Sequence, residues 1–224
     1  MPTIGDVCGF LGFGTQFFTS YFLQYPPGPL AWTSSPTRPA LTKYTGKLIL
    51  LTMQTNLFGA LYYSLRVAAS LDMLKSWQPT LALLFPSIFG LGAFLTSGYY
   101  GLDHFNAEGA KIRKRIEERG YPAVHYLCHL DHCLSLPVVL VDALSGSVPA
   151  YDETALVGGV TCLAIYMVLY VACAQANWKA TGEWPYAIVD DVQANGGTVG
   201  RYIFFGVIIG IVVSLGALGK ALVR

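Results

Sequence analysis

Residues 125–132, His-Tyr-Leu-Cys-His-Leu-Asp-His, place three histidines and an aspartate inside a stretch that otherwise reads as a transmembrane helix. Ionisable side chains at bilayer depth are costly, so they mark a functional site by default. His125, His129 and His132 stand at i, i+4 and i+7, which stacks them on one helical face and turns Asp131 aside. A neutral imidazole near pH 7 can take a proton from a hydroxyl nucleophile. The second apolar stretch supplies hydroxyls in Leu51-Thr52-Met53-Gln54-Thr55-Asn56. At ~1.5 Å per residue, Thr52 lies ~8 Å and His132 ~15 Å along helices that start from the same membrane face, so the two can meet inside a bundle. Asn56, one turn below Thr52, carries an amide suited to a developing oxyanion. Threonine also occurs in membrane helices as a residue bonded to its own backbone, so this pairing alone leaves the nucleophile open.

The elements that must position these residues follow from composition. Hydrophobic residues make up 54% of the 224 and charged residues 12%, against roughly 25% charged in an ordinary soluble domain. Residues 7–37, 48–65, 76–102, 154–178 and 202–219 contain no Asp, Glu, Lys or Arg, and 122–144 is interrupted only by Asp131 and Asp142. Each is long enough for a bilayer-spanning helix or within a turn of it. The expectation is an all-α, polytopic membrane bundle forming one domain over 1–224, with helices near 6–25, 47–70, 79–101, 122–144, 154–176 and 200–222. The first stretch lacks the basic start of a secretory signal, having Asp6 and no Lys or Arg before Arg38, and is kept as a helix.

The connections differ in chemistry. Residues 26–46 hold Pro26, Pro27, Pro29, Pro36 and Pro39 and cannot be helical. Residues 103–120 carry the densest charge and read as a short interfacial helix, with Ile112 and Ile116 on one face among Lys111, Arg113, Lys114 and Arg115. The first, third and fifth loops hold Arg38, Lys43, Lys47, Lys111, Arg113, Lys114, Arg115, Arg119, Lys179 and Arg201, which the positive-inside bias puts in the cytosol. Gly206 and Gly210 form a GxxxG pattern, and Gly5, Gly9, Gly12 and Gly14 crowd the first helix; both read as packing seams. Pro86 predicts a kink in the third helix. Asp142, near a helix end, is expected to reach the interface, and Trp184 and Tyr186 read as interfacial aromatics.

Several classes are disfavoured. Net charge is +1 and the basic run is interleaved with Glu117 and Glu118, which argues against a nucleic-acid partner. Five cysteines without a CxxC pair make neither a disulfide scaffold nor a zinc knuckle. Four histidines are too few for a di-iron lipid enzyme. Two rivals to a hydroxyl nucleophile stay open: a mononuclear zinc hydrolase using His129, His132 and Asp131, and a non-catalytic transporter or scaffold with a His/Asp proton relay. No cofactor is expected, and the partner is a lipid arriving from the bilayer.

Several separated stretches carry a family resemblance. His129-Leu-Asp-His132 followed by Leu136-Pro137 is similar to the His-x-x-His…Leu-Pro signature of the androgen-induced and androgen-dependent membrane proteins. Lys47 to Thr52 resembles their "K…LT" helix start, and Trp77 to Phe85-Pro86 their Trp-x7-Phe-Pro helix. Thr181-Gly-Glu-Trp184-Pro-Tyr186 and Arg201-Tyr-Ile-Phe-Phe-Gly206 resemble their C-terminal block, so the likeness runs in order from about residue 44 to 210. It implies a multipass threonine hydrolase of fatty acid esters of hydroxy fatty acids, in the endoplasmic reticulum or plasma membrane. Thr52 would be the nucleophile and His132 its base, with Asn56, His129 and Asp131 in support. Three departures stand out. One added residue in the "K…LT" spacing keeps Thr55 as an alternative nucleophile. Gln175, Asn177 or their neighbours replace the family's histidines before "TGxW". Cys133 replaces the Thr after the second His.

Overall fold

The structure is a computed structural model that describes residues 1–23, 38–146 and 153–223, without the side chains of 108 and 153–155. Most of the Pro-rich segment, up to Thr37, lies outside the described residues. Helices α1 (Ile4–Phe18), α2 (Leu51–Ser70), α3 (Gln78–Gly98), α4 (Ala107–Glu118), α5 (Val124–Cys133), α6 (Ser135–Leu144), α7 (Glu153–Thr181) and α8 (Ala187–Leu222) follow in order, with no strand among the described residues. The fold is an all-α bundle. The segments Lys75–His104, Val124–Leu144, Leu156–Thr181 and Ala187–Leu222 are long and apolar enough to cross a membrane. The first two expected spans are less clear-cut. Helix α1 has 15 residues, and α2 carries Thr52, Gln54, Thr55, Asn56 and Arg66 along its 20.

The apolar residues that face outward mark a lipid-facing surface. On α7 and α8, Ile165, Val168, Leu169, Ile203, Val207 and Leu218 are each at least half exposed, which is normal in hydrocarbon and costly in water. Helix α3 is central and packs against α2, α6, α7 and α8, while α1 fills the groove between α2 and α6.

Close approach of α1 and α2 comes from a reciprocal exchange of rings and glycines. A Cβ on Gly9 would lie 2.0 Å from the Tyr63 ring, and one on Gly59 would lie 2.1 Å from Phe13. The two rings stack at 5.6 Å. The α3–α8 seam uses Gly90, Gly216 and Gly219, with a Gly216 Cβ 2.8 Å from the Pro86 carbonyl oxygen. The GxxxG pair is not the seam: a Cβ on Gly206 or Gly210 would meet nothing within 4 Å among the described residues. Helix α3 runs on through Pro86, whose ring packs where Gly159 leaves room.

Two departures from the expected helices matter for the site. The expected helix from 47 begins as a 3-10 turn over Gly46–Ile49, and Leu50 is extended (φ −84, ψ 127) before α2 starts. The expected helix 122–144 is broken at Leu134 into α5 and α6. Pro137 has no N–H to return to the Cys133 carbonyl, and its ring crowds that carbonyl, so the helix ends there and restarts.

Asp142 does not reach an interface. It is fully buried and pairs with Arg66 at 2.5 Å, while Arg66 also meets Asp6 at 2.7 Å and Tyr63 donates to Asp142 at 2.9 Å. A carboxylate this deep persists only when paired, and the partner is a cation on α2 whose buried position no local pattern announces.

Candidate active site

Thr52 is the second residue of α2, so its backbone N–H belongs to the first turn, where helical N–H groups have no partner within the helix. Leu50 offers no side-chain cap. The Tyr186 hydroxyl takes that place from the loop before α8, 3.4 Å from the Thr52 nitrogen and in hydrogen-bonding contact with the Leu51 backbone. Burial holds the Tyr186 phenol above its ordinary pKa, so it keeps its proton. Arg38 fixes the loop by donating to the Pro185 carbonyl at 2.9 Å and to that of Trp184. Trp184 is fully buried, stacked on Trp178 at 5.0 Å with Arg201 over its ring. Neither aromatic is an interfacial anchor, because the loop folds back into the bundle.

His132 is the penultimate residue of α5. Its Nδ1 lies 2.5 Å from the Cys128 carbonyl and its Nε2 lies 3.1 Å from Thr52 Oγ1. A carbonyl only accepts, so Nδ1 carries the hydrogen of the neutral ring. The Nε2 lone pair then faces the Thr52 hydroxyl, the arrangement a general base needs. The Tyr99 ring stacks on the imidazole at 4.0 Å and 13°. Position and tautomer are therefore set by three contacts on three elements.

The helix break stabilises this placement through Thr96 of α3. Its hydroxyl donates to the His132 carbonyl at 2.5 Å and accepts from the Leu136 N–H at 3.1 Å. Those two groups would have bonded each other in an unbroken helix. The side chain is inserted into the ladder, satisfying both backbone groups next to the imidazole that faces Thr52.

The other sequence candidates separate. Asn56 gives its two amide hydrogens to Ser20 Oγ at 2.7 Å and to the Asp131 carbonyl at 3.2 Å, so the amide is committed away from Thr52. Asp131 is fully buried on the α1 side, accepting from Ser20 at 3.0 Å, while Gln16 bonds its carbonyl at 2.8 Å. The Thr55 hydroxyl is buried outside both site cavities and has no hydrogen-bond partner among the described residues. His129 bonds the Tyr100 hydroxyl at 2.9 Å in a ring cluster with Tyr99 and His104. His125 is exposed, 3.3 Å from Glu117. Asp131, His132 and His129 are each turned to different neighbours, Ser20, Thr52 and Tyr100, so the zinc set His129, His132 and Asp131 does not converge. No group of three His, Cys, Asp or Glu among the described residues is placed to hold a metal ion.

Thr52 and His132 stand in a wall shared by two cavities. One, of about 110 Å³, is apolar and lined by Leu51, Phe94, Leu95, Met167, Phe204 and Ile208. The other, of about 150 Å³, has a mainly apolar wall that also carries the charged residues Arg38, Lys47, Asp103 and Arg113 beside Cys128 and Tyr186. Pro86 and Trp184 line neither, and Tyr186 lines both. Sequence reasoning missed Tyr186 and Thr96 as positioning residues. Their signals were a leucine at position 50, which cannot cap α2, and Pro137, which breaks the helix next to the gap that Thr96 fills.

Comparison of the chain with protein-family models, with curated proteins and with solved structures returns no match.

Proposed function

We propose that this chain is a multipass, intramembrane lipid-ester hydrolase in which Thr52 is the nucleophile and His132 its general base. The observation that carries the reading is the 3.1 Å contact of Thr52 Oγ1 with the unprotonated nitrogen of His132, in a wall between an apolar cavity and one that carries charged side chains. As Thr52 Oγ1 attacks the ester carbonyl carbon, its proton passes to His132 Nε2. The negative charge that develops on the carbonyl oxygen meets the N-terminal end of α2, its Thr52 N–H and the neutral Tyr186 hydroxyl. Collapse breaks the bond to the alcohol oxygen, which takes the proton from His132 and leaves an acyl-threonine. A water deprotonated by His132 then releases the acid and restores Thr52.

The apolar cavity suits the acyl chain, and the resemblance of the His129–His132, Leu136-Pro137 and Thr181–Tyr186 stretches points to esters of hydroxy fatty acids. The six-span arrangement belongs to the same reading, with α1 and α2 completing a bundle whose site opens toward the Arg- and Lys-rich face. Labelling of purified protein by an alkyl fluorophosphonate tests it. Mass spectrometry should find the adduct on Thr52, and labelling should disappear in T52A and H132A. An unlabelled wild-type protein that hydrolyses no long-chain ester would reject the reading.

A further inference from the structure

The wall of the charge-bearing cavity includes a cation that the reaction scheme above does not use. Lys47 sits on the 3-10 turn that leads into α2 and is 4% exposed. Lys47 lines the cavity shared with Thr52 and His132, and its buried Nζ has no hydrogen-bond partner among the described residues. An ammonium group held this way forgoes its hydration, and the effective penalty is several kcal/mol unless a counter-charge arrives. The other cations in the cavity are already engaged. Arg113 pairs with Asp103 at 3.1 Å and donates to the His104 carbonyl at 2.7 Å, and Arg38 holds the carbonyls of Trp184 and Pro185. Asp131 is the acid whose field reaches Lys47, but its carboxylate takes the Ser20 hydroxyl and no ion pair joins it to the ammonium.

We propose that Lys47 is a substrate-recognition residue that binds a carboxylate carried by the alcohol half of the lipid ester, and this rests on the hydrolase reading of the same site. One free ammonium matches one single negative charge, whereas a phosphate would leave charge and acceptor oxygens unanswered in a cavity of about 150 Å³. With the carboxylate on Lys47 and the acyl chain in the apolar cavity, the ester linkage lies across Thr52 in the wall between them. Lys47 and Thr52 are rigidly related, because the turn is tied by Tyr170 donating to the Ile49 carbonyl at 3.2 Å and Gln54 donating to the Leu48 carbonyl at 2.6 Å. A neutral ester leaves Lys47 unpaired and is disfavoured by that cost.

The test measures binding, so that it does not depend on turnover. A non-hydrolysable analogue, an acyl ester of a hydroxy fatty acid with the ester replaced by an ether, is titrated into full-length protein in detergent as the free acid and as its methyl ester. Wild type is expected to bind the acid at least about ten-fold more tightly. K47M should erase the difference and K47R keep most of it; the ratio of the two affinities is insensitive to any loss of folded protein. K47M without ligand should also melt at a higher temperature than wild type, because it removes an unpaired buried charge. Equal binding of acid and methyl ester by wild type would overturn the proposal. So would a preference retained in K47M, a lower melting temperature of K47M, or tighter binding of a phosphate-bearing analogue. If the acid binds through Lys47 but no ester is hydrolysed and Thr52 is not labelled, the hydrolase reading fails and the anion site stands. If esters are hydrolysed without any preference for the acid, the reverse holds.

Discussion

Thr52 and His132 are 80 residues apart in sequence and 3.1 Å apart in space, with the second ring nitrogen of His132 held by the Cys128 carbonyl. The contact joins the first turn of α2 to the last turn of α5. Both side chains therefore sit at helix ends inside the bundle, where Tyr186 and Thr96 take the backbone groups that the helices leave unpaired.

Thr52→Ala and His132→Ala should each lower kcat for a long-chain ester by at least about a hundred-fold, with the double variant little worse than either, because residues acting as one unit are non-additive. T52S should retain measurable turnover. Steady-state kinetics on the purified variants decides this, and additive losses would separate the two residues.

Tyr186→Phe removes a donor from the carbonyl oxygen and the cap from α2. A fall in kcat of roughly ten- to a hundred-fold is expected with little change in KM. Because burial raises the phenol pKa above its ordinary value of about 10, the hydroxyl still carries its proton at pH 9. The alkaline limbs of the wild-type and Y186F pH–rate profiles should therefore coincide up to that pH, and a wild-type-specific fall below pH 9 would contradict it.

Thr96→Val leaves the His132 carbonyl and the Leu136 N–H without a partner, a cost of about 1–3 kcal/mol for an unsatisfied buried group. The melting temperature should drop, and fluorophosphonate labelling of Thr52 should slow in the protein that remains folded, because α5 no longer holds the imidazole in register. Thr96→Ser should restore both. Normal labelling in T96V would show that the break needs no support.

Arg66→Met strands Asp6 and Asp142, and breaking a buried pair this way costs about 3–5 kcal/mol. Thermal unfolding in detergent should show the largest loss of any variant named here. Rescue by adding Asp142→Asn would confirm that the penalty lies in the orphaned carboxylate.

Chelators should leave ester hydrolysis unchanged, since His129 and Asp131 are turned to different neighbours from His132. His129→Ala should reduce activity by less than about ten-fold, through the Tyr100 ring cluster alone. Chelator-sensitive, Thr52-independent hydrolysis would promote a metal mechanism.

Much of this molecule is readable from local pattern. The charge-free blocks give apolar helices, because no other backbone satisfies its own hydrogen bonds in hydrocarbon. The i, i+4, i+7 spacing of His125, His129 and His132 puts them on one face, and a shared starting face gives Thr52 and His132 comparable depth. What local pattern does not contain is the rotation of one helix against another. That rotation turns Asn56 and Asp131 toward Ser20 of the π-helical turn after α1, Asp142 toward Arg66, and Thr55 away from the cavities.

It also decides that the bundle closes on Gly216 and Gly219 and leaves the Gly206–Gly210 motif open. Thr96 and Lys47 as site residues, and Tyr186 as the cap of α2, were invisible for the same reason. Each acts on a backbone group or a cavity built by a different element. Helical periodicity is a property of neighbours along the chain. The partners of a buried polar group are set by which faces meet once the whole bundle has packed.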